Sequence, residues 1–219
     1  GRAAARAAAT PTPRASPTKR IDYIMLGSMW SSNVAATVVS ATSQSDHRPL
    51  LAALTPRWDQ TLFADRVPAN TVEEADTRAV EVGVKIRSNV NGTITAIRFY
   101  RGTGNSSGYK ARLWSSSGAL LGEAFVTDGV IPGWQEAPLP SPVAVTAGTT
   151  YVASYFTSNG RFARDPDGLT NTITSGNLTA PSSASAGGNG VFAYGGGGFP
   201  SSTYKETNYW VDVRFRPAP

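Results

Sequence analysis

Residues 80–87 alternate strictly between the two faces of an extended chain. The four even positions hold valine or isoleucine, whereas the odd positions hold glutamate, glycine, lysine and arginine. Because successive side chains of a strand point to opposite sides, this period of two predicts a strand with one buried face. The turn dipeptide Asn91-Gly92 follows, so residues 93–101 are predicted to form an antiparallel partner strand. A hairpin with one apolar face must bury that face against a second layer.

Short segments of the same kind continue to the end of the chain, separated by turns that contain glycine or proline and without a helical period. They cover residues 109–115, 120–127, 133–139, 143–145, 150–157 and 208–215. Many short strands at this spacing are typical of sandwiches and jelly rolls. We therefore predict an all-β domain, a jelly-roll-like antiparallel β-sandwich, over residues 61–217.

The net charge of +5 belongs to the start of the chain, and not to the predicted sandwich. Five of the 20 basic residues lie in residues 1–20, which contain no acidic residue. The other fifteen basic residues are balanced by fifteen acidic residues, so the rest of the chain has no net charge. The folded domain therefore has no nucleic-acid footprint, which would require concentrated Lys and Arg. Residues 1–18 lack large apolar side chains and are predicted to be disordered. No apolar run is long enough to predict a membrane span.

Two motifs near the start of the chain carry a resemblance of their own. Lys-Arg-Ile-Asp-Tyr-Ile at residues 19–24 precedes Ser-Asp-His-Arg-Pro-Leu at residues 45–50. Together they resemble the C-terminal end of the endonuclease/exonuclease/phosphatase superfamily, which consists of metal-dependent phosphohydrolases with an α/β-sandwich fold. The resemblance implies that His47 contacts the scissile phosphate or transfers protons, and that Asp46 helps hold the metal or orients the site. It also implies that residues 19–56 are the terminal strands of an incomplete fragment of such a domain.

The rest of that hydrolase domain is expected to precede Gly1. The family's Gly-Asp-x-Asn segment has no match in this chain, so we expect no activity from it, and a divalent metal only in the intact parent protein. The fragment's three predicted apolar strands, over residues 21–26, 34–40 and 50–54, make too small a sheet to be stable alone. We expect them to be disordered or to pair weakly as a hairpin-like flap. An ordinary loop pair remains the alternative interpretation of Asp46 and His47.

Four motifs of the predicted sandwich carry a wider resemblance. They are Ala-Val-Glu-Val-Gly-Val-Lys-Ile-Arg-Ser at residues 79–88, Arg-Leu-Trp-Ser at 112–115, Thr-Thr-Tyr-Val-Ala-Ser-Tyr at 149–155 and Asn-Tyr-Trp-Val-Asp-Val at 208–213. They resemble the bacterial family called domain of unknown function 4082. The resemblance implies an accessory module of a secreted or cell-surface protein, with extracellular carbohydrate or cell wall as its partner. It implies binding or spacing, and not catalysis.

Five aromatic residues lie in or just before the Gly-rich region between residues 160 and 207. They are Tyr155, Phe162, Tyr194, Phe199 and Tyr204. Sugar rings stack on aromatic side chains, so a carbohydrate site in this domain is predicted on these residues. The four glycines at residues 195–198 would let a ligand or a neighbouring backbone approach closely. The alternative is that the aromatic rings only anchor the long loop.

Two acidic residues in the first and last predicted strands, Glu81 and Asp212, suggest a structural calcium ion. Sandwich carbohydrate modules often hold such an ion with carboxylates, and hard oxygen ligands suit it. Lys85 and Arg214 share the same predicted strand faces, however, and cross-strand salt pairs explain the acids equally well. The salt-pair interpretation is the one we favour.

The sequence thus predicts a non-catalytic accessory or binding module. A spacer without a ligand is the first alternative. The second is a phosphohydrolase in the full-length parent, which would use residues 19–56.

Overall fold

The computed structural model describes residues 35–38, 50–53, 59–69, 75–104, 108–126 and 131–218. The chain divides into two compact units, residues 1–56 and 57–219. In the first unit, β1 (Ala35–Val38) pairs with β2 (Leu50–Ala53) in an antiparallel hairpin. Both strands lie within predicted strands. Asp46 and His47 lie outside the described residues, as do residues 1–18 and the predicted strand over residues 21–26.

The second unit is built from strands, and no described residue is helical. Accordingly, the described part of the chain offers no long apolar helix of the kind that crosses a membrane. The strands are β3 (Val80–Ser88), β4 (Gly92–Arg101), β5 (Tyr109–Ser115), β6 (Leu120–Val126), β7 (Gly133–Val145), β8 (Thr150–Thr157), β9 (Ile173–Ser175), β10 (Leu178–Ala180), β11 (Val191–Tyr194), β12 (Ser202–Thr203) and β13 (Val211–Pro217).

These strands form two antiparallel sheets. The larger has the order β12-β11-β3-β8-β5-β6, with the β9–β10 hairpin beside β3, and the smaller has the order β13-β4-β7. Strand β3 pairs with β8, β4 with β7 and β5 with β6, as in one long hairpin. The first and third of these pairs belong to the larger sheet and the second belongs to the smaller sheet, so the hairpin passes from one sheet to the other and back. This is the wrapping of a jelly roll. The predicted all-β antiparallel sandwich is confirmed.

The core lies between the sheets and follows the predicted alternation. Val80, Val82, Val84 and Ile86 are all buried, as are residues of β4 and β13 on the facing sheet. Each fully buried apolar side chain of this size stabilises the fold by about 1.5–3 kcal/mol. The inward face of the larger sheet is thus the face that the period of two predicts.

The opposite face of β3 is less exposed than its sequence indicates. Glu81 is fully buried and Lys85 is half-buried, although both stand at the polar positions of the alternation. Part of the region between residues 160 and 207 lies over this face: Lys85 Nζ donates to Ala186 O at 3.0 Å. Gly197 shows how close the cover lies: a Cβ there would meet Arg112 Nη1 at 2.6 Å and Glu81 Oε2 at 3.3 Å.

Candidate functional site

A cleft of about 310 Å³ opens at the β11–β12 edge of the larger sheet. Its walls come from four separated stretches of chain: the segment before and at the start of β3, the loop after β8, strand β11, and the segment after β12. The lining residues are Asp76, Val80, Phe162, Arg164, Phe192, Tyr194, Tyr204 and Tyr209. Five of these eight are aromatic, which is typical of small-molecule sites with a few polar groups.

The aromatic rings of the cleft support one another. The Phe162 and Tyr209 ring centroids are 5.5 Å apart, as are those of Phe192 and Tyr194, and both pairs meet edge to face. Tyr194 and Tyr204 keep 46% and 50% of their surface exposed. The cleft therefore has an ordered aromatic floor and two exposed tyrosines that remain open to a ligand.

Asp76 and Arg78 hold the Tyr194 ring in place. The Tyr194 hydroxyl donates to Asp76 Oδ2 at 2.5 Å, and the Arg78 guanidinium lies 3.7 Å from the Tyr194 ring centroid. Arg78 also pairs with Asp76 through Nε and Nη2. Hydrogen bonds from Arg78 and Tyr194 hold the pKa of Asp76 well below its usual range.

Backbone strain is concentrated in the loops beside the cleft. Arg161, Asp167, Lys205 and Glu206 have φ values of 54°, 60°, 46° and 47°, in the left-handed region that favours glycine. Backbone bonds join these loops: Asp167 N donates to Lys205 O, and Leu169 N donates to Glu206 O. Strained backbone of this kind persists only where its surroundings enforce it. The loops that carry Phe162, Arg164 and Tyr204 are therefore pre-organised.

Three of the five aromatic residues predicted to bind sugar meet in this cleft: Phe162, Tyr194 and Tyr204. Phe199 lies elsewhere and packs edge to face on Trp114, with ring centroids 5.9 Å apart. It belongs to a small apolar cluster under the Gly-rich loop and matches the loop-anchor alternative.

The interpretation of Tyr155 as a binding residue needs correction. Its side chain is fully buried in the core, stacked on Phe99 at 4.2 Å. No ring face remains for a ligand. Each face of β8 mixes apolar and hydroxyl side chains in sequence, so the sequence alone did not indicate which face carries the core.

Sequence reasoning did not assign the other five lining residues to a sugar site: Asp76, Val80, Arg164, Phe192 and Tyr209. One signal was present. Phe192 and Tyr194 stand two residues apart within a Gly-rich stretch, which places both rings on one face of a short strand. The arrival of Asp76 and Arg164 beside them depends on contacts distant in sequence.

Glu81 is the centre of a buried polar network on the outer face of the larger sheet. Arg112 Nη1 and Ser154 Oγ each donate to its carboxylate at 2.5 Å, and Trp114 Nε1 donates to Ser154 Oγ at 2.7 Å. Arg112 Nε also donates to Glu123 at 2.7 Å. The favoured interpretation of Glu81 as a member of a cross-strand salt pair therefore holds, and its partner is Arg112.

Asp212 lies in β13, a strand of the smaller sheet, and its carboxylate is held by hydrogen bonds. Its carboxylate accepts the backbone N–H groups of Leu62 at 2.8 Å and Phe63 at 2.9 Å, and Arg98 Nη1 lies 3.3 Å away. Its cross-strand partner is thus Arg98, whereas Arg214, the cation named from the sequence on the same strand face, pairs with Glu136.

Glu81 and Asp212 do not share a site, because they lie in different sheets. Across the described ranges, no three His, Cys, Asp or Glu side chains lie together as a metal site would require. The calcium interpretation of these two residues therefore finds no support in their positions.

The Glu81 network predicts a pH-dependent stability. Burial raises the pKa of Glu81 from 4.5 to about 7, against the opposing effects of Ser154 and Arg112. When the folded state binds the proton of a carboxyl group more tightly than the unfolded state does, the protein loses stability as pH rises from the unfolded-state pKa to the folded-state pKa. We expect the melting temperature to fall between about pH 4.5 and 7, and Glu81→Gln to flatten that fall. If the melting temperatures of the wild type and Glu81→Gln fell by the same amount across this pH range, Glu81 would not be the group responsible.

The family described as Domain of unknown function (DUF4082) matches residues 65–211, which is more than half of the chain and includes every residue that lines the cleft. A search of curated proteins found no match. The resemblance of residues 19–56 to the endonuclease/exonuclease/phosphatase superfamily is not shown by these comparisons and stays a prediction. The chain belongs to the DUF4082 family.

Proposed function

We propose that the sandwich is a non-catalytic module that binds carbohydrate in the aromatic cleft. The observation that carries this proposal is the pair of exposed tyrosines, Tyr194 and Tyr204, at a concave site lined by further rings. Exposed aromatic rings gathered at a cleft mark a binding site more often than a random surface. The sandwich contains no Cys and no His, since the single His of the chain is His47.

Sugar rings suit this cleft because they combine an apolar face with a polar edge. An aromatic ring binds the C–H face, and a few polar groups orient the hydroxyls. Tyr194 supports this interpretation, because its hydroxyl bond to Asp76 and the Arg78 guanidinium 3.7 Å from its ring centroid fix the ring. The ring thus meets a ligand without first losing much conformational freedom.

Titration calorimetry of the whole chain with a panel of soluble oligosaccharides tests the proposal. We expect saturable binding, reduced about tenfold or more by Tyr194→Ala or Tyr204→Ala, because each change removes a stacking surface. Phe125→Ala is the matched control. Phe125 is 67% exposed and lies on β6, outside the cleft, so its removal should leave the affinity unchanged.

Melting curves show whether each variant is folded. If the folded wild type binds no saccharide of the panel, the module is a spacer. Equal losses for Phe125→Ala and Tyr194→Ala would indicate non-specific adhesion and would also sink the proposal.

Two wider expectations follow as proposals. A polysaccharide ligand places the protein outside the cell or at its surface. Residues 19–56 then contribute to a metal-dependent phosphohydrolase that the module positions on its substrate. Metal-dependent phosphodiesterase activity of the full-length protein, abolished by His47→Ala, tests the second. Absence of activity in the wild type with Mg²⁺ or Mn²⁺ would count against it.

A further inference from the structure

Asp76 lines the cleft, but its carboxylate is already engaged by two neighbours. Oδ1 accepts from the Arg78 backbone N–H at 3.0 Å and from Arg78 Nε at 3.1 Å. Oδ2 accepts from Arg78 Nη2 at 2.7 Å and from the Tyr194 hydroxyl at 2.5 Å. A carboxylate offers about four lone-pair sites, so these four hydrogen bonds use its accepting capacity. The geometry therefore suits a support for Tyr194 better than a group that accepts from sugar hydroxyls.

The backbone of Asp76 is held by the loop that follows β8. The Asp76 carbonyl accepts the Arg161 N–H at 2.8 Å. Gly160 packs directly on that carbonyl, since a Cβ at Gly160 would lie 2.0 Å from Asp76 O. The same loop carries Phe162, and the Asp76 carboxylate reaches Tyr194 on β11. One side chain thus joins two walls of the cleft that are distant in sequence.

The Tyr194 ring has further contacts besides its hydroxyl bond. The Arg78 guanidinium lies 3.7 Å from the ring centroid, within the range of a cation–π contact. Phe192 meets the ring edge to face, with centroids 5.5 Å apart. Tyr194 nevertheless keeps 46% of its surface exposed. A side chain that is ordered before the ligand arrives spares the ligand the entropic cost of ordering it.

We infer that Asp76 and Arg78 are positioning residues of the saccharide site. They hold the Tyr194 ring in the orientation in which it stacks on a sugar, and the Tyr194 hydroxyl serves Asp76 and not the ligand. The inference rests on the proposed carbohydrate-binding function and adds residues that set its affinity through Tyr194.

A double-mutant cycle on saccharide affinity tests this role. Calorimetry of the whole chain with cellohexaose, xylohexaose and chitohexaose identifies the saccharide that the wild type binds most tightly, and the variants are titrated with it. Tyr194→Phe keeps the stacking ring and removes only the hydroxyl. Asp76→Asn keeps the size of the side chain, removes its charge and replaces one accepting oxygen with a donating NH₂ group.

We expect each single variant to bind about three- to tenfold more weakly, which corresponds to the cost of ordering one side chain on binding. The double variant should bind no more weakly than the weaker single variant, because both changes break the same hydrogen bond. If Asp76 only stabilised its loop, Asp76→Asn would lower the affinity by the same factor in the Tyr194→Phe background.

Asp59→Asn is the matched control. Arg216 Nε and Nη2 donate to Asp59 at 2.8 and 3.2 Å, which is the same type of pair, and Asp59 is not among the residues that line the cleft. Its affinity should equal that of the wild type. Arg78→Gln is the second variant if Asp76→Asn does not fold, and it should also weaken binding. Tighter binding by Arg78→Gln would show that the guanidinium occupies the ligand's place on the ring, and would overturn the inference.

The remaining outcomes separate the two proposals. Unchanged affinity in Tyr194→Phe and Asp76→Asn, with binding lost in Tyr194→Ala, overturns the positioning role and leaves carbohydrate binding standing. Losses that add in the double variant indicate that Asp76 and the Tyr194 hydroxyl each contact the sugar, and overturn the role as well. No binding of any saccharide by the folded wild type overturns the carbohydrate function, and the inference falls with it.

Discussion

Asp212→Ala is expected to lower the free energy of unfolding by about 3–5 kcal/mol, because it breaks a buried charged network by removing one partner. The carboxylate is fully buried and accepts the N–H groups of Leu62 and Phe63, which ties the segment before β3 to β13. Without it, the buried N–H groups of Leu62, Phe63 and Val213 lose an acceptor and Arg98 loses its fully buried carboxylate partner. Urea unfolding of both proteins measures the loss.

Asp59→Ala is the matched control for this prediction. Asp59 pairs with Arg216, whose side chain is 42% exposed, and pairs of this kind contribute less than about 1 kcal/mol. A loss for Asp212→Ala as small as that for Asp59→Ala would contradict the buried role. Calcium offers a further check: a Ca²⁺-dependent rise in melting temperature that disappears in Asp212→Ala would return Asp212 to a metal-binding role.

Tyr155→Ala is expected to lower the free energy of unfolding by about 3–5 kcal/mol, because it opens a cavity in the centre of the sandwich. The ring is stacked on Phe99 at 4.2 Å and meets Tyr109 edge to face at 6.0 Å. Thermal and urea unfolding measure this loss. Tyr204→Ala, at an exposed position, should change stability by no more than about 0.5 kcal/mol.

The two tyrosines therefore separate core from cleft. At a temperature where Tyr155→Ala is still folded, this variant should bind saccharide with the affinity of the wild type. Tyr204→Ala should bind saccharide more weakly than the wild type. If Tyr155→Ala lost binding with unchanged stability, Tyr155 would be a site residue, as its sequence neighbourhood suggested, and the structural assignment would fail.

The strands of this domain follow from local pattern. The alternation in residues 80–87 and the Asn91-Gly92 turn predict β3 and β4 closely, and β5 and β8 begin and end where the sequence indicates. A period of two depends only on the geometry of an extended chain, so neighbouring residues are enough to reveal it. For the same reason, many such strands without helices were enough to predict an antiparallel sandwich.

The salt pairs illustrate the limit of that pattern. The sequence predicted cross-strand salt pairs for Glu81 and Asp212 and offered Lys85 and Arg214 as cations on the same faces, but Arg112 and Arg98 are the partners. A side chain meets whichever strand lies beside its own, and strand order in a jelly roll is set by pairings distant in sequence. Lys85 stands on the same strand as Glu81, and strand order brings Arg112 closer.

The cleft shows the same division between local and distant information. The sequence by itself determined that the chain contains an antiparallel sandwich of strands with one buried face, and aromatic residues in and near a Gly-rich region, because periodicity and turn chemistry are local. The tertiary structure alone decided that Tyr155 enters the core while Phe162, Tyr194 and Tyr204 meet Asp76 and Arg164. That outcome depends on β11 pairing with β3 across about a hundred residues, and only the folded chain brings those segments together.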